Sequence, residues 1–124
     1  MKDQNLTKFL VARIKAFEYA FSGLISGFKK ETHVKIHMLA TLVVIACGFF
    51  FKITFSEWIV TLACCFAVIS AELMNTAIER TCDLITLERN AQIKYIKDIS
   101  AGAVLCLCIA SIVIAVIIFG KYIF

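Results

Sequence analysis

The sequence predicts an all-α membrane protein, with an N-terminal amphipathic interfacial helix followed by three transmembrane helices. Three observations carry that expectation. Hydrophobic residues fill 61% of the 124 positions and the mean hydropathy is +0.90, whereas a soluble domain averages about 45–50% apolar. There is no proline to interrupt a helix. Three runs, residues 36–51, 58–71 and 99–119, carry no formal charge. A chain of this length has room for one small helical domain.

Residues 7–28 come first. Leu10, Ile14, Phe17, Phe21, Leu24 and Phe28 recur at three- and four-residue intervals, while Lys8, Arg13, Lys15 and Glu18 fall elsewhere. That pattern predicts an amphipathic helix lying in the membrane interface, its basic side chains drawn to acidic head groups or phosphates. The first apolar pattern is periodic and the preceding residues are polar, so no cleavable signal peptide is expected.

Spanning a bilayer takes about 20 residues. The third run, 99–119, meets that alone. The first gains its length upstream, giving a helix over 34–51. The second continues through a polar extension, giving a helix over 56–85 that outruns the bilayer. Lys52 to Glu57 forms the short turn between the first two spans, and a longer polar connection lies between Arg80 and Lys97.

Charge sets the orientation. Eleven of the 13 Lys and Arg residues fall between Lys2 and Lys35 or between Arg80 and Lys97, and only Lys52 and Lys121 fall on the other side. By the positive-inside rule the N-terminus is cytoplasmic and the C-terminus external. This predicts a multi-pass membrane protein whose polar region, from Glu72 to Asp98, opens to the cytoplasm.

Five of the six cysteines lie inside apolar runs, as small hydrophobes of helix cores, and no CxxC occurs. They are expected to be structural thiols. His33 and His37, four apart, share a helix face but have no third ligand nearby.

The chemistry is concentrated in Glu72-Leu-Met-Asn75-Thr-Ala-Ile-Glu79, with Asp83 one turn on. At 100° per residue these four polar side chains fall within about 80° of one another. Glu72 directly follows a charge-free run, and an acid at the hydrocarbon boundary is retained only where it faces protein or a wet site. Carboxylates beside an amide suit a divalent cation together with a base. Lys97-Asp98 reads either as a phosphate-binding cation beside a hydrogen-bonding acid, or as a basic flank with Asp98 capping the third span. Glu31, among Lys29, Lys30 and Lys35, reads from composition as part of a solvated turn. No Walker A, GxGxxG, HRD-type or GxSxG motif is present, which excludes the soluble kinase and hydrolase templates.

Ala71-Glu72-Leu-Met-Asn75-Thr-Ala-Ile-Glu79, then Asp83, then Lys97-Asp98-Ile-Ser-Ala-Gly-Ala-Val, resembles the small prokaryotic diacylglycerol kinase and undecaprenol kinase family. The resemblance runs from about Arg13 to the third span. It implies a homotrimer with active sites shared between neighbours, ATP as co-substrate, Mg²⁺ as cofactor, and direct phosphorylation of a membrane lipid alcohol. Glu72 matches the catalytic base, and Glu31 and Glu79 match the metal-binding glutamates. Asn75, Lys97 and Asp98 match polar residues of the active site and nucleotide pocket. Tyr19 and Glu88-Arg89-Asn90 match positions that contact ATP. In an ungapped register the family's N-terminal arginine falls on Ala12, and a one-residue shift assigns it to Arg13. Details around Glu31, Asn75 and Ser100 favour the undecaprenol branch over the diacylglycerol branch, which makes phosphatidic acid. No nucleic-acid partner is expected.

Two other classes compete: an ion or proton conduit using the Glu72–Asp83 face, and an inactive assembly subunit that retains the fold. A conduit needs polar groups through the whole bilayer depth, whereas these acids cluster at one end.

Overall fold

Helix is the only regular structure among the described residues: α1 (Lys2–Lys30), α2 (Thr32–Phe51), α3 (Phe55–Ile85) and α4 (Ala91–Ile123). The computed structural model describes the backbone of residues 2–123 and the side chains of residues 7–123. The side chain of Lys2, counted above for orientation, lies outside the described residues. The chain divides into two compact units, Met1–Thr32 and His33–Phe124.

The first unit is α1. It takes in the predicted 7–28 segment and continues through Lys30, where the Glu31 N–H adds a last hydrogen bond by donating to the Gly27 carbonyl at 3.0 Å. Phe17, Tyr19 and Phe21 are all exposed on it.

The second unit contains α2, α3 and α4, each long and apolar enough to cross a membrane. Their large apolar side chains are mostly bare, Phe50 and Phe55 at 80% exposure among them. Water does not tolerate such a surface but hydrocarbon does, so this is a membrane protein. A thin internal core forms where the helices meet, from Val34, Val68, Val104 and Ile118.

The turn between α2 and α3 shows how local sequence sets the packing. Lys52 adopts the left-handed conformation (φ 54°) and reverses the chain. Thr54 and Glu57 then form a reciprocal capping box that starts α3. Gly48 lets α2 pass against Trp58: a Cβ there would lie 2.7 Å from the Trp58 ring. Phe49 tilts onto the same ring at a 4.9 Å centroid distance.

α3 and α4 are the main packed pair and run antiparallel. At the far end, Glu57 at the start of α3 pairs with Lys121 in the last turn of α4, and the Tyr122 hydroxyl donates to the same carboxylate at 2.8 Å.

The connection between α3 and α4 is shorter than the polar composition suggests. α3 closes with the Thr86 N–H donating to Cys82, and α4 begins at Ala91 rather than at 99. The Asn90 side-chain oxygen accepts from the N–H groups of Gln92 (2.9 Å) and Ile93 (3.1 Å). Asn90 therefore caps α4, and the reading of Asp98 as the cap is corrected: Asp98 lies two turns inside the helix. Lys94, Lys97 and Asp98 break the charge-free run there, which is why the extra turns were read as part of the polar connection.

Candidate active site

α3 carries the acidic face into the packed interior. Glu72 and Asn75 are among its buried residues, at 5% and 7% exposure. A carboxyl group so placed is costly unless its surroundings use it. The Asn75 side-chain N–H₂ donates to Glu79 Oε1 at 3.2 Å, one turn further on. That bond orients both residues and leaves Asn75 Oδ1 buried with no hydrogen-bond partner among the described residues. An orphaned acceptor beside two carboxylates is an unfilled polar position rather than a packed core.

α4 supplies the opposing face. Ser100 and Val104 are buried on α4, and Cys108 lies within electrostatic reach of Glu72. One turn before Ser100, Lys97 reaches back across the helix pair to Asp83 Oδ1 at 2.5 Å. Glu79 and the buried Cys82 also lie within electrostatic reach of Lys97. Glu72, Asn75, Glu79 and Lys97 thus share one α3–α4 seam.

Lys97 and Asp98, adjacent in sequence, serve different partners. Asp98 pairs with Lys94 on its own helix, both exposed. Glu88 and Arg89 are exposed in the α3–α4 connection. The Glu88 N–H is held by the Thr86 hydroxyl at 3.0 Å, and the Asn90 oxygen is occupied in capping. Arg13, Tyr19 and Glu31 belong to the N-terminal unit. There the Arg13 guanidinium stands over the Phe9 ring, 5.0 Å from its centroid, Tyr19 is 70% exposed, and Glu31 is half-buried at the end of α1.

Sequence reasoning placed Asp83 on the Glu72 face but gave it no role of its own; its pairing with Lys97 of α4 is visible only in the structure.

Among the described residues, no group of three or more His, Cys, Asp and Glu is arranged to hold a metal, so His33 and His37 do not form part of one. Mg²⁺ rarely needs such a cage; it takes one or two carboxylates and completes its shell with water and nucleotide phosphate oxygens. The hard oxygen donor of Glu79, oriented by Asn75, fits that demand. All six cysteines are free thiols, in keeping with a packing role.

A cavity of about 370 Å³ opens between α2, α3 and α4. Thr61, Cys64 and Val68 line it from α3, with His37, Thr41 and Cys108 among the residues facing them. Val68 stands one turn before Glu72, so the cavity wall and the buried carboxyl belong to the same side of α3.

The sequence matches the prokaryotic diacylglycerol kinase family over residues 18–119. It is 35% identical over 105 residues to the undecaprenol kinase of Bacillus subtilis, covering 85% of each chain. It is 33% identical over 114 residues to a diacylglycerol kinase of Haemophilus influenzae, covering 91% of this chain and 97% of that one. A diacylglycerol kinase of Pseudomonas aeruginosa is 30% identical over 108 residues, covering 86% of this chain and 88% of its own.

Proposed function

This chain belongs to the prokaryotic diacylglycerol kinase family and is a membrane lipid kinase, and from that premise we propose that it phosphorylates undecaprenol. The observation that carries the mechanism is the α3–α4 seam: a buried Glu72, an Asn75–Glu79 pair, and a lysine opposite. Phosphoryl transfer asks a protein for positioning and charge neutralisation more than for covalent chemistry, and this seam supplies both kinds of group.

In this reading Glu72 takes the proton of the lipid hydroxyl as its oxygen attacks the γ-phosphorus of ATP. The bond from that phosphorus to the bridging oxygen breaks, and ADP leaves. Asn75 orients Glu79 and offers its free oxygen to the reacting groups. Mg²⁺, when bound, would neutralise charge on the phosphates; Glu79 would hold it, and Glu31 is assigned to it by the family resemblance alone. Lys97 contacts the phosphates. Asp98, Glu88, Arg89 and Asn90 contact the nucleotide, and Tyr19 and Arg13 carry the same assignment through the family resemblance alone. The apolar cavity beside Val68 has room for part of a hydrocarbon chain whose hydroxyl end meets Glu72.

The lipid assignment is supported by the residues around Glu31, Asn75 and Ser100 and by the 35% identity to an undecaprenol kinase. The 33% identity to a diacylglycerol kinase favours the second reading, diacylglycerol as acceptor. We also propose a homotrimer with shared active sites, for which the bare apolar faces of α2–α4 leave ample surface. The Lys and Arg asymmetry supports an inner-membrane location with a cytoplasmic N-terminus and site.

The experiment is direct. Purified protein in mixed micelles receives Mg²⁺, labelled ATP, and either undecaprenol or diacylglycerol, and the lipid products are resolved. Label in undecaprenyl phosphate is the expected result. Label mainly in phosphatidic acid would exchange the acceptor and keep the mechanism. No lipid product, from folded protein that binds nucleotide, would remove this assignment.

A further inference from the structure

We propose that Asp83 is a positioning residue for nucleotide binding, acting through Lys97. The inference rests on the phosphate-contacting role assigned to Lys97 above. Asp83 stands on α3 one turn beyond Glu79, and Lys97 stands on α4, fourteen positions along the chain. The 2.5 Å contact between them therefore joins two helices across the mouth of the seam.

Lys97 needs such a partner. Its ammonium sits on a flexible four-carbon stem, and without a fixed anchor its charge is spread over many rotamers. Its sequence neighbour does not supply the anchor, because Asp98 is engaged by Lys94. An ammonium has three donors; one held by Asp83 leaves two to meet phosphate oxygens. The pair is also poorly placed to serve stability. The side chains are 33% and 50% exposed for Lys97 and Asp83, and exposed ion pairs add little to folding. The effect of the contact is on where the Lys97 charge sits.

The sign of the effect separates positioning from a simple field. Asp83 is an anion near the place where polyanionic phosphates bind. If it acted only through its charge, neutralising it would tighten nucleotide binding. If it holds Lys97 in place, neutralising it weakens binding.

The test uses full-length protein in detergent micelles and a non-hydrolysable ATP analogue with Mg²⁺, measured by equilibrium binding. Asp83→Asn is expected to weaken binding about two- to fivefold, the span of an exposed pair's coupling. It should raise the KM for ATP in parallel while leaving kcat, the lipid KM and the melting temperature near wild type. Asp83→Glu should restore most of the affinity. In a Lys97→Met background, Asp83→Asn should have no further weakening effect. Wild-type or tighter binding by Asp83→Asn, with Lys97→Met weakened, would overturn this inference alone. So would an undiminished loss in the Lys97→Met background, or a loss that tracks a fall in melting temperature. Wild-type binding by Lys97→Met itself would overturn the role of Lys97, and the inference with it.

Discussion

Asn75 donates its side-chain amide to Glu79, one helical turn away at 3.2 Å, while its side-chain oxygen stays buried with no partner among the described residues. The pair converts a row of polar side chains into an oriented carboxylate with an open acceptor beside it. Asn75→Ala removes both features, and Asn75→Asp replaces the donor with a second negative charge. A hydrogen bond to a charged group is worth about 1.5–3 kcal/mol, so either variant should lose about 10- to 100-fold in kcat. The check is initial-rate kinetics at saturating ATP and lipid, with helicity by circular dichroism as the folding control.

The contact of Gly48 with Trp58 predicts a packing defect away from the site. A methyl group at Gly48 would lie 2.7 and 2.9 Å from two atoms of the Trp58 ring and 3.2 Å from Ile53 Cδ1. Overpacking of this kind costs about 1–3 kcal/mol, more than the helix-propensity gain of about 1 kcal/mol from alanine. Gly48→Ala should therefore lower the melting temperature. The sequence has a single tryptophan, so its fluorescence reports the displaced ring directly. Adding Trp58→Phe should recover part of the loss, because the two substitutions share one contact.

The far end of the bundle predicts a stability effect with little effect on chemistry. The Glu57 carboxylate accepts from the Thr54 N–H, the Thr54 hydroxyl and the Tyr122 hydroxyl, each at 2.8 Å, and pairs with Lys121. It therefore ties the α2–α3 turn to the last turn of α4. Glu57→Ala should lower the melting temperature in detergent, and Tyr122→Phe should do so less, since it removes only one of these contacts. Turnover at temperatures well below the transition should stay near wild type in both, because Glu57 lies about four turns of α3 from Glu72.

Asn90 offers a test of two roles at one residue. Its side-chain oxygen caps α4, and losing a cap costs about 0.5–2 kcal/mol. Asn90→Ala should lower stability, whereas Asn90→Asp keeps the cap and should not. Nucleotide affinity separates the roles: if Asn90 also meets ATP, Asn90→Asp weakens binding without changing the melting temperature.

These residues also mark how far sequence reaches. The α2 and α3 boundaries were legible to within two residues, because each span holds a charge-free run and the Lys52–Glu57 turn separates them. The start of α4 was not, since Lys94, Lys97 and Asp98 make the segment from Ala91 to Asp98 read as part of a polar connection. Glu72, Asn75 and Glu79 were legible as one face because their spacing is helical. The partners of Lys97 and Asp98 were not, because an ion pair to Asp83 on another helix depends on how α3 and α4 are set side by side. Arg13, Tyr19 and Glu31 entered through resemblance alone; nothing in their own spacing points to a nucleotide or a metal.

The central claim is that buried Glu72 is the base that activates the lipid hydroxyl, and Glu72→Gln tests it most directly. The glutamine keeps the shape and removes the proton acceptor. Measured with labelled ATP and undecaprenol in Mg²⁺-containing micelles, turnover should fall by about 10²–10⁴-fold, with helicity, assembly and nucleotide-analogue binding retained. Turnover close to wild type in that variant would contradict the account.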